Sequence, residues 1–139
     1  MIKSIGEARQ KMLDGGYTCV VISENGEYIS QERGVKPLLS LLQAKCSYAG
    51  AVAADKCVGA GAAHLYVLLS VSTVWANVIS EPALEVLERN GIKVFYGQCV
   101  PYIINRKGDG ACPIESAVAN AKTSEQAYDL ILSTLAKLS

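Results

Sequence analysis

The stretch AGAVAADKCVGAGAAHLYVLLSVSTVWANVI, residues 49–79, constrains this chain more than any other, because from Cys57 to Ile79 it carries no formal charge. An uncharged run of that length either crosses a bilayer, which takes about 18 or more apolar residues, or lies inside a folded domain. Two glycines, Ser70, Ser72, Thr73 and Asn77 interrupt it, which argues against the membrane. Ala49 to Ala54 is a short run of small apolar residues that stops at Asp55 and Lys56, and Thr73 to Ile79 is rich in β-branched and aromatic residues. Both read as strands. Between them, Cys57 to Val71 is long enough for about four helical turns, and such a crossover sets two strands parallel in one sheet. A helix lying on a sheet, beside a strand covered on both faces, is apolar for that reason alone.

The rest of the chain fits around this unit. Its 139 residues suit one domain. Ile2, Ile5, Ala8, Met12 and Leu13 recur at helical spacing before Gly15-Gly16, giving an amphipathic first helix with a glycine stop. Tyr17 to Ser23 and Glu27 to Gln31 flank Asn25-Gly26, a strong hairpin signal. Val35 to Lys45, with Pro37 in its first turn, is a second helix. After the central unit, Ser80 caps a helix carrying Leu84 and Leu87 inward and closing at Asn90-Gly91, and Lys93 to Gln98 is a fifth strand. Residues 99–112 form a long loop, Pro113 opens a short helix, and Thr123-x-x-Gln126 is a capping box before a last helix whose stripe is Ala127, Leu130, Ile131, Thr134 and Leu135. Right-handed crossovers then give a three-layer α/β/α fold on a five-stranded mixed sheet, with predicted strand order 2-1-3-4-5.

Charge narrows the function classes. Thirteen basic and thirteen acidic residues cancel and are interspersed, so neither nucleic acid nor an anionic membrane surface is favoured as a partner. The five cysteines, Cys19, Cys46, Cys57, Cys99 and Cys112, are odd in number, lie at least eleven positions apart and form no CxxC. The first residues carry charges where a signal peptide needs an apolar core. Free thiols in a reducing cytoplasm are the expectation.

An N-terminal helix, the hairpin CVVISENGEYISQ, a helix opening at Gly34-Val35-Lys36-Pro37, a strand ending at Asp55 and a helix opening at Lys56-Cys57 together resemble the cytidine deaminase-like fold. Over nearly its full length, and most clearly in DKCVGAGAA, ISEPALEVLERNGI and VPYIINRKGDGACPIE, the chain looks like a small bacterial family of unknown function with that fold. Zinc deaminases hold their metal through HxE and PCxxC at the starts of two successive helices. Here those places read Gly34-Val35-Lys36 and Asp55-Lys56-Cys57-Val58-Gly59, so Cys57 alone could coordinate, and a catalytic zinc needs three protein ligands. His64 stands seven positions beyond Cys57, two turns away. No metal and no cofactor is expected, and no catalytic residue is carried over from the deaminases.

The turn Asp55-Lys56-Cys57-Val58-Gly59 is the leading site, because ligands in open α/β sheets bind beyond the carboxyl ends of strands and the free amides of a helix start attract anions. Lys56 would add charge, and Cys57 in a first helical turn would be a candidate nucleophile through the helix dipole. On the plainer reading Asp55 is an N-cap, Lys56 is solvated and Gly59 lets the helix lie close to the sheet. Glu81 pairs with Asp55 across the same edge, or merely complements the dipole of its own helix. Asn105 and Arg106 fold over the strand ends to grip a phosphate or carboxylate, or are solvated. Cys112-Pro113-Ile114-Glu115 reads as a thiol with an acid or, more simply, with Glu115 as the backward half of a cap on its own helix. His64 is a packing or an interface residue, and Gly59 to Ala63 form a surface against either the sheet or a second subunit. Two expectations result: a metal-free binder of a small anionic, nucleotide-like ligand, or a non-catalytic interaction protein forming a homo-oligomer.

Overall fold

The structure, a computed structural model, describes residues 5–23, 26–32, 35–44, 48–103 and 113–138. Within them run α1 (Ile5–Gly15), β1 (Cys19–Ser23), β2 (Gly26–Ser30), α2 (Lys36–Gln43), β3 (Val52–Val58), α3 (Ala60–Leu69), β4 (Thr73–Ser80), α4 (Glu81–Arg89), β5 (Lys93–Val100), α5 (Pro113–Val118) and α6 (Ser124–Leu138). The strands form one sheet in the order β2-β1-β3-β4-β5. β1 pairs antiparallel with β2 and β3, while β3, β4 and β5 run parallel. This is the mixed sheet and strand order that the element pattern predicts.

The two sheet faces are covered unequally. On one, α2 to α6 and the sheet share a continuous core that includes Val21, Leu38, Ala53, Leu65, Tyr66, Val74, Leu87, Val118 and Ile131. On the other, among the described residues, α1 alone seats Ala8 and Met12 against Val20, Ile22, Val52 and Ala54, with Trp75 at its border. Leu13, which the spacing assigns to that stripe, is 50% exposed. α3 is wrapped on all sides, with Ala60 to Tyr66 buried throughout, and this is why the central run can be uncharged. The Gly59 to Ala63 surface therefore packs within the chain, against α5 and the sheet core, rather than against a second subunit.

One boundary differs from the sequence expectation and moves the site. β3 does not end at Ala54 but continues through Asp55, Lys56 and Cys57 to Val58, and the helix begins at Ala60. Asp55 lies opposite Cys19 on one side and Ala76 on the other, so both neighbouring ladders hold it in the strand. The amide of Lys56 donates to the carbonyl of Thr18 at 2.9 Å. A polar pair that looks like a strand stop is accommodated because Tyr66 on α3 donates a hydrogen bond of 2.7 Å to the Asp55 carboxylate. At its other end α3 stops at Ser70 in the left-handed region, φ 62°.

Candidate functional site

The parallel strands β3 and β4 end side by side, with Val58 paired to Ile79, and the amino terminus of α3 opens at that edge. Gly59 is its N-cap and offers no side-chain acceptor, so the first amides of the helix need one from elsewhere. Glu115 of α5 supplies it. Its two carboxylate oxygens accept from the amides of Ala60 at 2.8 Å and Gly61 at 3.0 Å. The Ser80 hydroxyl, which itself accepts from the amide of Ala83 at 3.2 Å to cap α4, lies 3.4 Å from the same carboxylate. A Cβ on Gly59 would lie 2.5 Å from the Glu115 carboxylate, and one on Gly61 2.5 Å from Ile114. The two glycines are what let α5 come this close.

Glu115 thus caps α3 across 55 residues of sequence instead of its own helix, which corrects the local-cap reading. A helix start with two glycines and no Ser, Thr, Asp or Asn is the sequence signal for such a remote acceptor. It was hidden because Asp55 looked like the N-cap.

Further back along β3, Asp55, Tyr66 and Cys19 form a buried polar cluster. Asp55 accepts from Tyr66 through Oδ2 and, at 3.2 Å, from the Cys57 amide through Oδ1. The Cys19 thiol lies 3.5 Å from the Tyr66 hydroxyl. Burial pushes the Asp55 carboxyl up to about 7, against the opposing pull of these hydrogen bonds. Burial first, and the Asp55 charge second, hold the Cys19 thiol and the Tyr66 phenol above their ordinary ranges, so both stay protonated. Cys19 is inert as a nucleophile for that reason.

The remaining candidates separate. Cys57 is exposed on the strand, before the helix rather than in its first turn, which removes the dipole argument for an activated thiol. Strand alternation directs Asp55 toward α3 and turns Lys56 to the opposite face, away from the Ala60 and Gly61 amides. Val58 is buried and Gly59 is the cap. Glu81 is exposed in the first turn of α4, beyond Ile79, whereas Asp55 pairs with Ala76, so no Asp55–Glu81 carboxylate pair exists. Asn105 and Arg106 lie outside the described residues. His64 is buried and its Nδ1 lies 3.0 Å from the Ser124 hydroxyl, docking α6 onto α3. Its proton affinity is lowered by burial and, secondarily, by Arg89, with Glu125 opposing. Among the described residues no three His, Cys, Asp or Glu side chains converge as a metal site, and no helix is long and apolar enough to cross a membrane.

A crystal structure of a DUF1893 family protein from Thermotoga maritima superposes with a TM-score of 0.84 at 24% identity, over 99% of this chain and 92% of that one, and has the same fold. A diaminohydroxyphosphoribosylaminopyrimidine deaminase/5-amino-6-(5-phosphoribosylamino)uracil reductase from the same organism reaches a TM-score of 0.45 at 15% identity over 67% of this chain and 35% of its own. No curated protein matches the chain. The model of the family described as a domain of unknown function, DUF1893, matches residues 7–135, and the chain belongs to that family.

Proposed function

We propose that the β3–α3 junction is a receptor for a small phosphate- or carboxylate-bearing molecule, nucleotides included, and that Glu115 is its internal competitor. One observation supports this reading: two main-chain amides and a serine hydroxyl converge on a single carboxylate at the carboxyl edge of parallel strands. That is the donor set an external oxyanion requires. Glu115 is partly accessible and tethered only through the short helix α5, so an incoming anion exchanges with it instead of entering an empty pocket. The ligand must out-compete an intramolecular group whose effective concentration is on the order of millimolar or more, which favours a doubly charged phosphate over a carboxylate. Asn105 and Arg106, in the segment leading to α5, are proposed as further contacts.

Thermal shift with inorganic phosphate and a nucleoside monophosphate tests the exchange. Glu115→Gln lowers the melting temperature without ligand and enlarges the stabilisation that either anion produces. If neither the wild type nor the variant responds to any anion, the corner is a purely structural cap and the reading fails.

A further inference from the structure

The two edges of the sheet are built differently. β2, at one edge, is five residues long, and its Glu27 pairs with Lys11 of α1. Short length and a charged side chain on the strand are ordinary ways of keeping an edge from joining another sheet. β5, at the other, runs for eight residues, and from 94 to 100 it reads VFYGQCV, without a charge or a proline. Phe95 sits beside Trp75 on the α1 face and is 43% exposed; Tyr96 points to the opposite face and is 46% exposed. Residues 95–98 are exposed without interruption, so neither face of the strand is covered where its aromatic rings lie. Lys93, at the start of the strand, stands over the Phe95 ring at 5.8 Å.

We infer that β5 pairs antiparallel with β5 of a second copy of this chain about a two-fold axis, joining two five-stranded sheets into one. A second copy is the occupant because identical antiparallel strands are self-complementary: each outward N–H of one meets a C=O of the other under the dyad. Opposed residues in an antiparallel pair share a face, so both Phe95 rings line the α1 side and both Tyr96 rings the other. The chain has zero formal charge and residues 94–100 carry none, which leaves Lys93, at the start of the ladder in each copy, as the strand's one charge. Size sets the strength. One eight-residue ladder with two aromatic side chains per copy covers less than the roughly 800 Å² per partner of a standard stable interface. The dimer therefore dissociates on dilution. It is independent of any ligand at the β3–α3 junction.

Sedimentation velocity on the full chain, over roughly two decades of concentration through the micromolar range, tests it together with hydrogen–deuterium exchange. The mass rises from 14.8 kDa toward that of two copies, and amides 94–100 exchange more slowly as it does so. Tyr96→Glu, which sets like charges close across the dyad, weakens association at least about tenfold. A wild type that stays at 14.8 kDa throughout, association without slowed exchange at 94–100, or a folded Tyr96→Glu that associates as the wild type does, each overturns the inference. Should the variant not fold, exchange in the wild type decides alone.

Discussion

α3 and β5 are both nearly free of charge, yet they are stabilised in opposite ways. α3 is enclosed by the sheet and by residues of α2, α4, α5 and α6, and even its polar groups are answered within the chain: Tyr66 by Asp55 of β3, His64 by Ser124, and the first amides by Glu115. Among the described residues β5 has one partner strand, is exposed along its centre, and leaves two aromatic side chains partly in water. The difference teaches that apolar content alone does not mark a core in this chain. What marks it is whether the surrounding elements return to cover it.

The contrast is sharpest in side-chain truncation. Leu65→Ala, fully buried on α3, is expected to cost about 2–5 kcal/mol, read as a lowered denaturation midpoint in urea. A cost near zero would mean that the helix is not the packed centre described here. Tyr66→Phe leaves the Asp55 carboxylate with one donor fewer in a buried place and should cost about 1–3 kcal/mol by the same measurement.

Asp55 also gives a pH signature. The folded chain keeps its proton up to about pH 7, whereas the unfolded chain releases it near 3.8, so between these values the folded state binds more protons. Stability from this group is fully present below the lower value and falls as pH rises through the window. His64, with its proton affinity lowered, contributes the opposite slope as pH rises through 6.5. Comparing melting temperatures of the wild type and Asp55→Asn across that range cancels the histidine. The difference should shift against the wild type as pH rises, and parallel curves would contradict the buried carboxyl. At the other end of the comparison, Phe95→Ala on the exposed strand should change monomer stability by no more than about 0.5 kcal/mol in dilute solution, and a larger loss would mean that the strand is covered.

Periodicity carries most of the fold. The uncharged run, the hairpin signal and the Ser80 and Thr123 caps are local, and Ser80 and Thr123 do accept the amides of Ala83 and Gln126. The same periodicity ends β3 four residues early, because Asp55 and Lys56 are polar and polarity is an ordinary strand stop. Nothing local to Asp55 discloses Tyr66, eleven residues on, as its donor. The candidate site suffered from that shift. Local spacing puts Lys56 and Cys57 at the helix start that Gly59, Ala60 and Gly61 occupy, and gives Glu115 to its own helix although its carboxylate serves α3.

Sequence alone determined the order of helices and strands, the parallel unit at the centre and the shortage of metal ligands at the two helix starts. Each of these follows from residue spacing along a single segment. Tertiary structure decided which carboxylate meets the amides of α3, which face Lys56 occupies and which edge of the sheet stays bare. Those outcomes depend on segments far apart in the chain meeting across one sheet, and a hydrogen-bond donor without a local acceptor does not reveal where in the chain its acceptor lies.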